Sequence, residues 1–141
     1  LGLALAFSGK GDSAQVVLDR IMHVDSLAPE ARASYIWRFA LAGRWAEADR
    51  EVAAVNRTIT GGSHDLDMAI GDLAIGTKAA ALDAFERAVH KRPFYIATTM
   101  LGCDPTYSVL KTGPRFIALV KEAGQGLCAT TPKWPIPARP K

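Results

Sequence analysis

The chain is poor in cysteine, in aromatic residues, in long apolar runs and in charge of one sign. Only Cys103 and Cys128 occur in its 141 residues. Two cysteines are too few for a disulfide framework, and they lack metal-ligand spacing. An oxidising compartment would allow one bridge between them. The plainer expectation is a buried small side chain at Cys103 and an incidental thiol at Cys128. The apolar start, residues 1–7, is too short to span a bilayer and lacks the basic flank of a signal peptide. Basic residues are spread along the chain, and the formal net charge is +3. A nucleic-acid footprint is therefore not expected. Catalytic signatures are missing too: there is no Gly-x-Ser-x-Gly elbow, His-Glu-x2-His pair or Cys-x2-Cys motif. His23, His64 and His90 fall at or near expected helix ends. An enzyme, a cofactor and a metal are accordingly not expected. His64, Asp65 and Asp67 read as solvated polar residues, because their spacing sends the carboxylates to different helix faces.

What is present is helical periodicity. Hydrophobic residues make up 49% and charged residues 22%, which suits one mostly helical domain. The clearest unit is residues 76–93, GTKAAALDAFERAVHKRP. Ala81, Phe85, Ala88 and Val89 recur at three-, four- and seven-residue intervals, so they share one helix face. Asp83 and Arg87, one turn apart, are expected to pair. His90, Lys91 and Arg92 sit in the last turn, where the helix dipole favours cations.

That unit repeats. Ala81-x3-Phe85-x2-Ala88 is matched 33 residues earlier by Ala48-x3-Val52-x2-Val55, and 34 residues before that by Ala14-x3-Leu18-x2-Ile21. Gly9, Gly43 and Gly76 each stand five residues ahead of the small residue. A period near 34 with a small-x3-large core resembles the tetratricopeptide repeat. The resemblance implies an all-α fold: antiparallel helix pairs in a right-handed solenoid, with a glycine in each intrapair turn. Repeats fall at about 1–26 (truncated), 27–60 and 61–93, closing helices at 94–124, and a Pro-rich extended tail at 125–141. In this register Leu1-Gly2-x2-Leu5 matches part of a first helix whose earlier turn is absent, so a fragment of a longer protein is expected. Residues 8–13, SGKGDS, are an interhelix turn and not a phosphate loop, because Ala4 stands where the first glycine is required and no strand precedes it. Asp12 or Ser13 is expected to cap the next helix. Ser63, ending the TGGS linker, is expected to cap the helix at 64–75. Asp72 departs from the repeat, which usually has an aromatic there.

After Pro93 the pattern changes. Asp104-Pro105-x-Tyr107-x2-Leu110 is echoed by Gly113-Pro114-x-Phe116-x2-Leu119. Each copy puts Pro at the start of a short helix, and Gly124 ends the second. This segment resembles the end of tetratricopeptide regions in bacterial multidomain regulators. The tail carries Pro132, Pro135, Pro137 and Pro140 around Trp134, a density that prevents a packed element. Trp134 is a candidate anchor onto this molecule or a neighbour.

Stacked helix pairs supply binding surface. By the resemblance, the first helices line a concave groove through Leu3, Phe7, Trp37, Arg38, Leu41, Ile70 and Leu73. That lining is mostly apolar and lacks the repeated Lys and Asn that some members use to clamp a terminal carboxylate. The expected function is a protein-interaction scaffold for a peptide or helix, within a larger bacterial regulatory protein. For Trp37, packing inside the stack is the competing reading. Two other functions stay open: self-assembly through the N-terminal edge or tail, and sensing of a small ligand in a deep closed pocket. A cytoplasmic location is expected unless Cys103 and Cys128 are bridged, which would favour the periplasm or the exterior.

Overall fold

A computed structural model describes residues 2–25, 29–58, 64–91, 101–130 and 137–140. Leu1, the 60–63 linker, Pro93 and Trp134 lie outside the described residues, as do Pro132, Pro135 and the side chain of Leu3. The described elements are helices: α1 (Gly2–Phe7), α2 (Gly11–Val24), α3 (Pro29–Leu41), α4 (Trp45–Thr58), α5 (Asp65–Ala74), α6 (Lys78–Lys91), a 3-10 helix (Pro105–Leu110) and α7 (Pro114–Glu122). No helix among them is long and apolar enough to cross a membrane.

The helices associate as consecutive pairs, α1 with α2, α3 with α4, and α5 with α6. Each pair turns at a glycine in the left-handed region: φ is +76° at Gly9, +71° at Gly43 and +87° at Gly76. A side chain there would clash with the following carbonyl, which explains why glycine keeps step with the repeat. Between pairs, α3 packs on both α1 and α5.

The repeat core is buried as its spacing predicts. Ala14, Leu18, Ala48, Val55, Ala81, Phe85 and Ala88 are all inside. Val52 is half-buried against the same core. Ile21 differs and is exposed.

The closing segment packs onto α6. Phe85, Tyr107 and Phe116 form an aromatic trio, with ring centroids 5.0 Å apart for Phe85–Phe116 and 5.3 Å for Phe85–Tyr107. Both proline-led starts are present. The first element is a 3-10 helix, with the Asp104 carboxylate accepting from the Thr106 N–H at 2.8 Å. Gly124, with φ +72°, terminates α7.

Several local expectations change. α2 starts at Gly11 after Lys10, with no side-chain cap, so neither Asp12 nor Ser13 caps it. His64 holds the N-cap position of α5, and Ser63, the expected cap, lies outside the described residues. Arg87 does not pair with Asp83. Its Nε donates to Asp65 Oδ1 at 2.9 Å, while Asp83 meets Arg115 of α7 at 2.8 Å. Asp65 is accordingly not a solvated residue: it is buried, and Lys91 Nζ stands 3.8 Å from its other oxygen. The pairing partner on the next helix draws the carboxylate inward. Cys103 and Cys128 form a disulfide, with Cα atoms 4.9 Å apart. This replaces the expectation of an incidental thiol at Cys128. The two chain segments cross at Gly102, whose carbonyl accepts from the Cys128 N–H at 3.1 Å, and that brings the cysteines together. The tail returns to α4, where Arg139 grips Asp49 through two hydrogen bonds of 3.0 and 2.7 Å and lies over the Trp45 ring.

Candidate functional site

The expected groove residues come from α1, α3 and α5, and the structure divides them by depth. Trp37 is fully buried. Its indole N–H donates to the Ile70 carbonyl at 2.8 Å, and its ring meets Phe7 edge-on with centroids 4.9 Å apart. No part of it is accessible to a partner, so the packing reading holds and Trp37 leaves the groove set. The physical reason is the position of α3, which has α1, α2, α4 and α5 against it. Tyr35, Ile36 and Trp37 are consecutive and all buried, which a helix with one covered face cannot achieve. Leu73 is likewise in the core at 1% exposure.

Phe7, Arg38, Leu41 and Ile70 are half-buried. Phe7 and Ile70 both contact Trp37, one through its ring and one through its backbone carbonyl. Phe7, Leu41 and Ile70 lie against the hydrophobic core and retain partial exposure. Arg38 and Leu41 meet in an open recess of about 220 Å³, which Ala6, Gly9, Gly11 and Ala42 complete. The recess sits where α1 ends, α2 begins and α3 ends. Its small lining residues were missed in the sequence because the turn accounts for the glycines and helix propensity for the alanines. A lone cation at Arg38 was the only available signal.

A second cavity lies between α3, α4 and α5, lined by Ala33, Ile36, Val52, Val55 and Met68, among others. Its volume is about 10 Å³, about one water-sized probe. Gly71 explains the tightness: a Cβ there would stand 2.8 Å from Ile36 Cδ1. Asp72, at its edge, is held by the Thr77 hydroxyl, which donates to the Asp72 backbone carbonyl at 2.9 Å and to its carboxylate at 3.3 Å. Burial pushes the Asp72 carboxyl above its ordinary value, against the opposing influence of Thr77 and Arg87. Tyr35, at the α2–α3 contact, is also pushed up, by burial and by its hydrogen bond to Asp19. Among the described residues, no group of three or more His, Cys, Asp or Glu side chains could hold a metal ion.

By its fold, this is an all-helical protein built of successive helix pairs. Comparison with family models, with curated proteins and with solved structures finds no match to the chain.

Proposed function

We propose that the chain is a tetratricopeptide-like interaction module, a right-handed solenoid of helix pairs closed by the short C-terminal helices. Its role is to capture an apolar peptide or helix as part of a larger bacterial regulatory protein. The observation that supports this reading is the row of first helices. α1, α3 and α5 contact one another in series, and Phe7, Leu41 and Ile70 stay partly exposed along them. Capture is by burial and shape, without chemistry. Sensing of a small ligand is less favoured, because the cavity between α3, α4 and α5 holds only about 10 Å³. The disulfide supports an oxidising compartment, periplasmic or extracellular.

The test is a peptide selected by display against the protein. Substituting Leu41→Ser and Ile70→Ser should together weaken its binding at least about tenfold, since each removes the exposed apolar area that the peptide would bury. Unchanged binding by a folded double variant would remove this surface from consideration.

A further inference from the structure

Residues 137–140, Pro-Ala-Arg-Pro, return to a helix that lies 90 positions earlier in the chain. Arg139 docks there on two side chains of α4. Its two terminal nitrogens donate to the two oxygens of Asp49, at 3.0 and 2.7 Å, and its guanidinium carbon stands 5.7 Å from the centre of the Trp45 ring. Trp45 and Asp49 are one turn apart on α4, so they share one face. Trp45 is half-buried against the hydrophobic core, which fixes the ring that the cation covers.

Each part of this arrangement selects for arginine on an extended chain. A planar guanidinium meets both carboxylate oxygens at once and also lies over an aromatic face. An ammonium reaches the carboxylate as a point charge and gives up the paired bonds. Pro140 drives the backbone of Arg139 to the extended region, and Pro137 fixes its own φ. The segment forms neither helix nor strand. Its prolines have already removed part of the chain freedom that docking would cost. The hold is nonetheless exchangeable. The side chains of Arg139 and Asp49 keep 46% and 44% exposure, and an exposed ion pair is weak and screened by salt. The arm can therefore leave, and what it vacates is a site whose ligand chemistry it displays.

We propose that Trp45 and Asp49 form an arginine-reading site on α4 for a proline-flanked arginine in an extended segment of a partner protein, and that the chain's own residues 137–140 occupy it until that partner displaces them. The site is separate from Phe7, Leu41 and Ile70, which lie on α1, α3 and α5, and it does not depend on the capture reading.

The test titrates acetyl-Pro-Ala-Arg-Pro-amide and acetyl-Pro-Ala-Gln-Pro-amide into the full chain and into its Arg139→Gln variant, following the ¹H–¹⁵N cross-peak of the Trp45 indole. Arg139 is exposed, so the substitution leaves the core intact. On the variant, the Arg peptide should shift the peak saturably and bind at least about threefold more tightly than the Gln peptide. The midpoint on the unsubstituted chain should be higher by at least about twofold, because a tethered arm competes at roughly millimolar effective concentration. Adding Asp49→Asn to the variant should abolish the preference for arginine. No saturable shift on the variant, or equal binding of the two peptides, overturns the site. Equal midpoints on the two chains overturn its occupancy by the tail. A sedimentation mass that rises with concentration for the unsubstituted chain and not for Arg139→Gln makes the occupant the tail of a second copy and overturns the partner assignment.

Discussion

Asp72 is the residue where the chain carries a charge against its environment. It lies on α5, half-buried at the edge of the α3–α4–α5 junction. Burial raises its carboxyl above the ordinary value of 3.8, and Asp83 adds to that effect, while Thr77 and Arg87 oppose it. The unfolded chain loses this proton at the ordinary value, so between the two values the folded state holds more protons. Stability therefore falls as pH rises through that window, and the ionised group remains a cost above it. Asp72→Asn keeps an acceptor for the Thr77 hydroxyl and removes the charge. Thermal melting should show a higher Tm for the variant at pH 7, with the gap closing as pH falls below about 3.8. A gap independent of pH would assign the effect to something other than ionisation. Asp72 was visible in the sequence as a departure from the aromatic of the repeat, whereas Asp65 was not. Its burial depends on Arg87 of the next helix, and i,i+4 spacing within α6 pointed Arg87 at Asp83. A local rule worth a few tenths of a kcal/mol gave way to a partner across the hairpin. Trp37 was misassigned for a related reason. Periodicity reports one covered face, and α3 is covered from several sides.

At the scale of elements, the repeated helix pairs were legible and the closing segment was half legible. Glycine spacing and the small-x3-large core fixed where each hairpin turns, because φ near +80° and close helix approach leave few residue choices. The proline-led starts located the 3-10 helix and α7. The spacing of Cys103 and Cys128 carried no pairing information, since their meeting depends on a crossing of segments 25 residues apart. The loop they close contains both the 3-10 helix and α7, and its Tyr107 and Phe116 seal the end of the core on Phe85. The elements of this segment are short, and besides core side chains such as Leu110, Leu119 and Val120 it is tied to α6 by Arg115 and His90. The disulfide should therefore matter more here than elsewhere. Replacing both cysteines by serine should lower stability by about 3.5 kcal/mol, on the chain-entropy estimate for a loop of this size. Hydrogen exchange should rise first across Pro105–Leu110 and Pro114–Glu122, while α3 and α5 keep their protection. Unchanged exchange in that segment would show that the aromatic trio alone holds it down.

For the whole molecule, the question is what meets the exposed side of α2. The core runs through α3, α5, α6 and the closing segment, and it is sealed at that end by the aromatic trio. At the other end α2 leaves Val16, Ile21 and Val24 at 53%, 42% and 88% exposure. Helical geometry puts them on one broad side of α2. Scattered exposed apolar residues are ordinary, but three on one helix form a surface that a second copy could bury. Burying a large aliphatic side chain contributes about 1.5–3 kcal/mol, and a net charge of +3 opposes association only weakly. This favours self-assembly as the second functional reading, acting through α2 and independent of Phe7, Leu41 and Ile70. Sedimentation should then give a mass that rises with protein concentration. Val24→Glu should hold the protein monomeric at concentrations where the unsubstituted chain associates, without lowering the Tm of the monomer, because this position is 88% exposed. A strict monomer across the accessible range would eliminate the assembly reading.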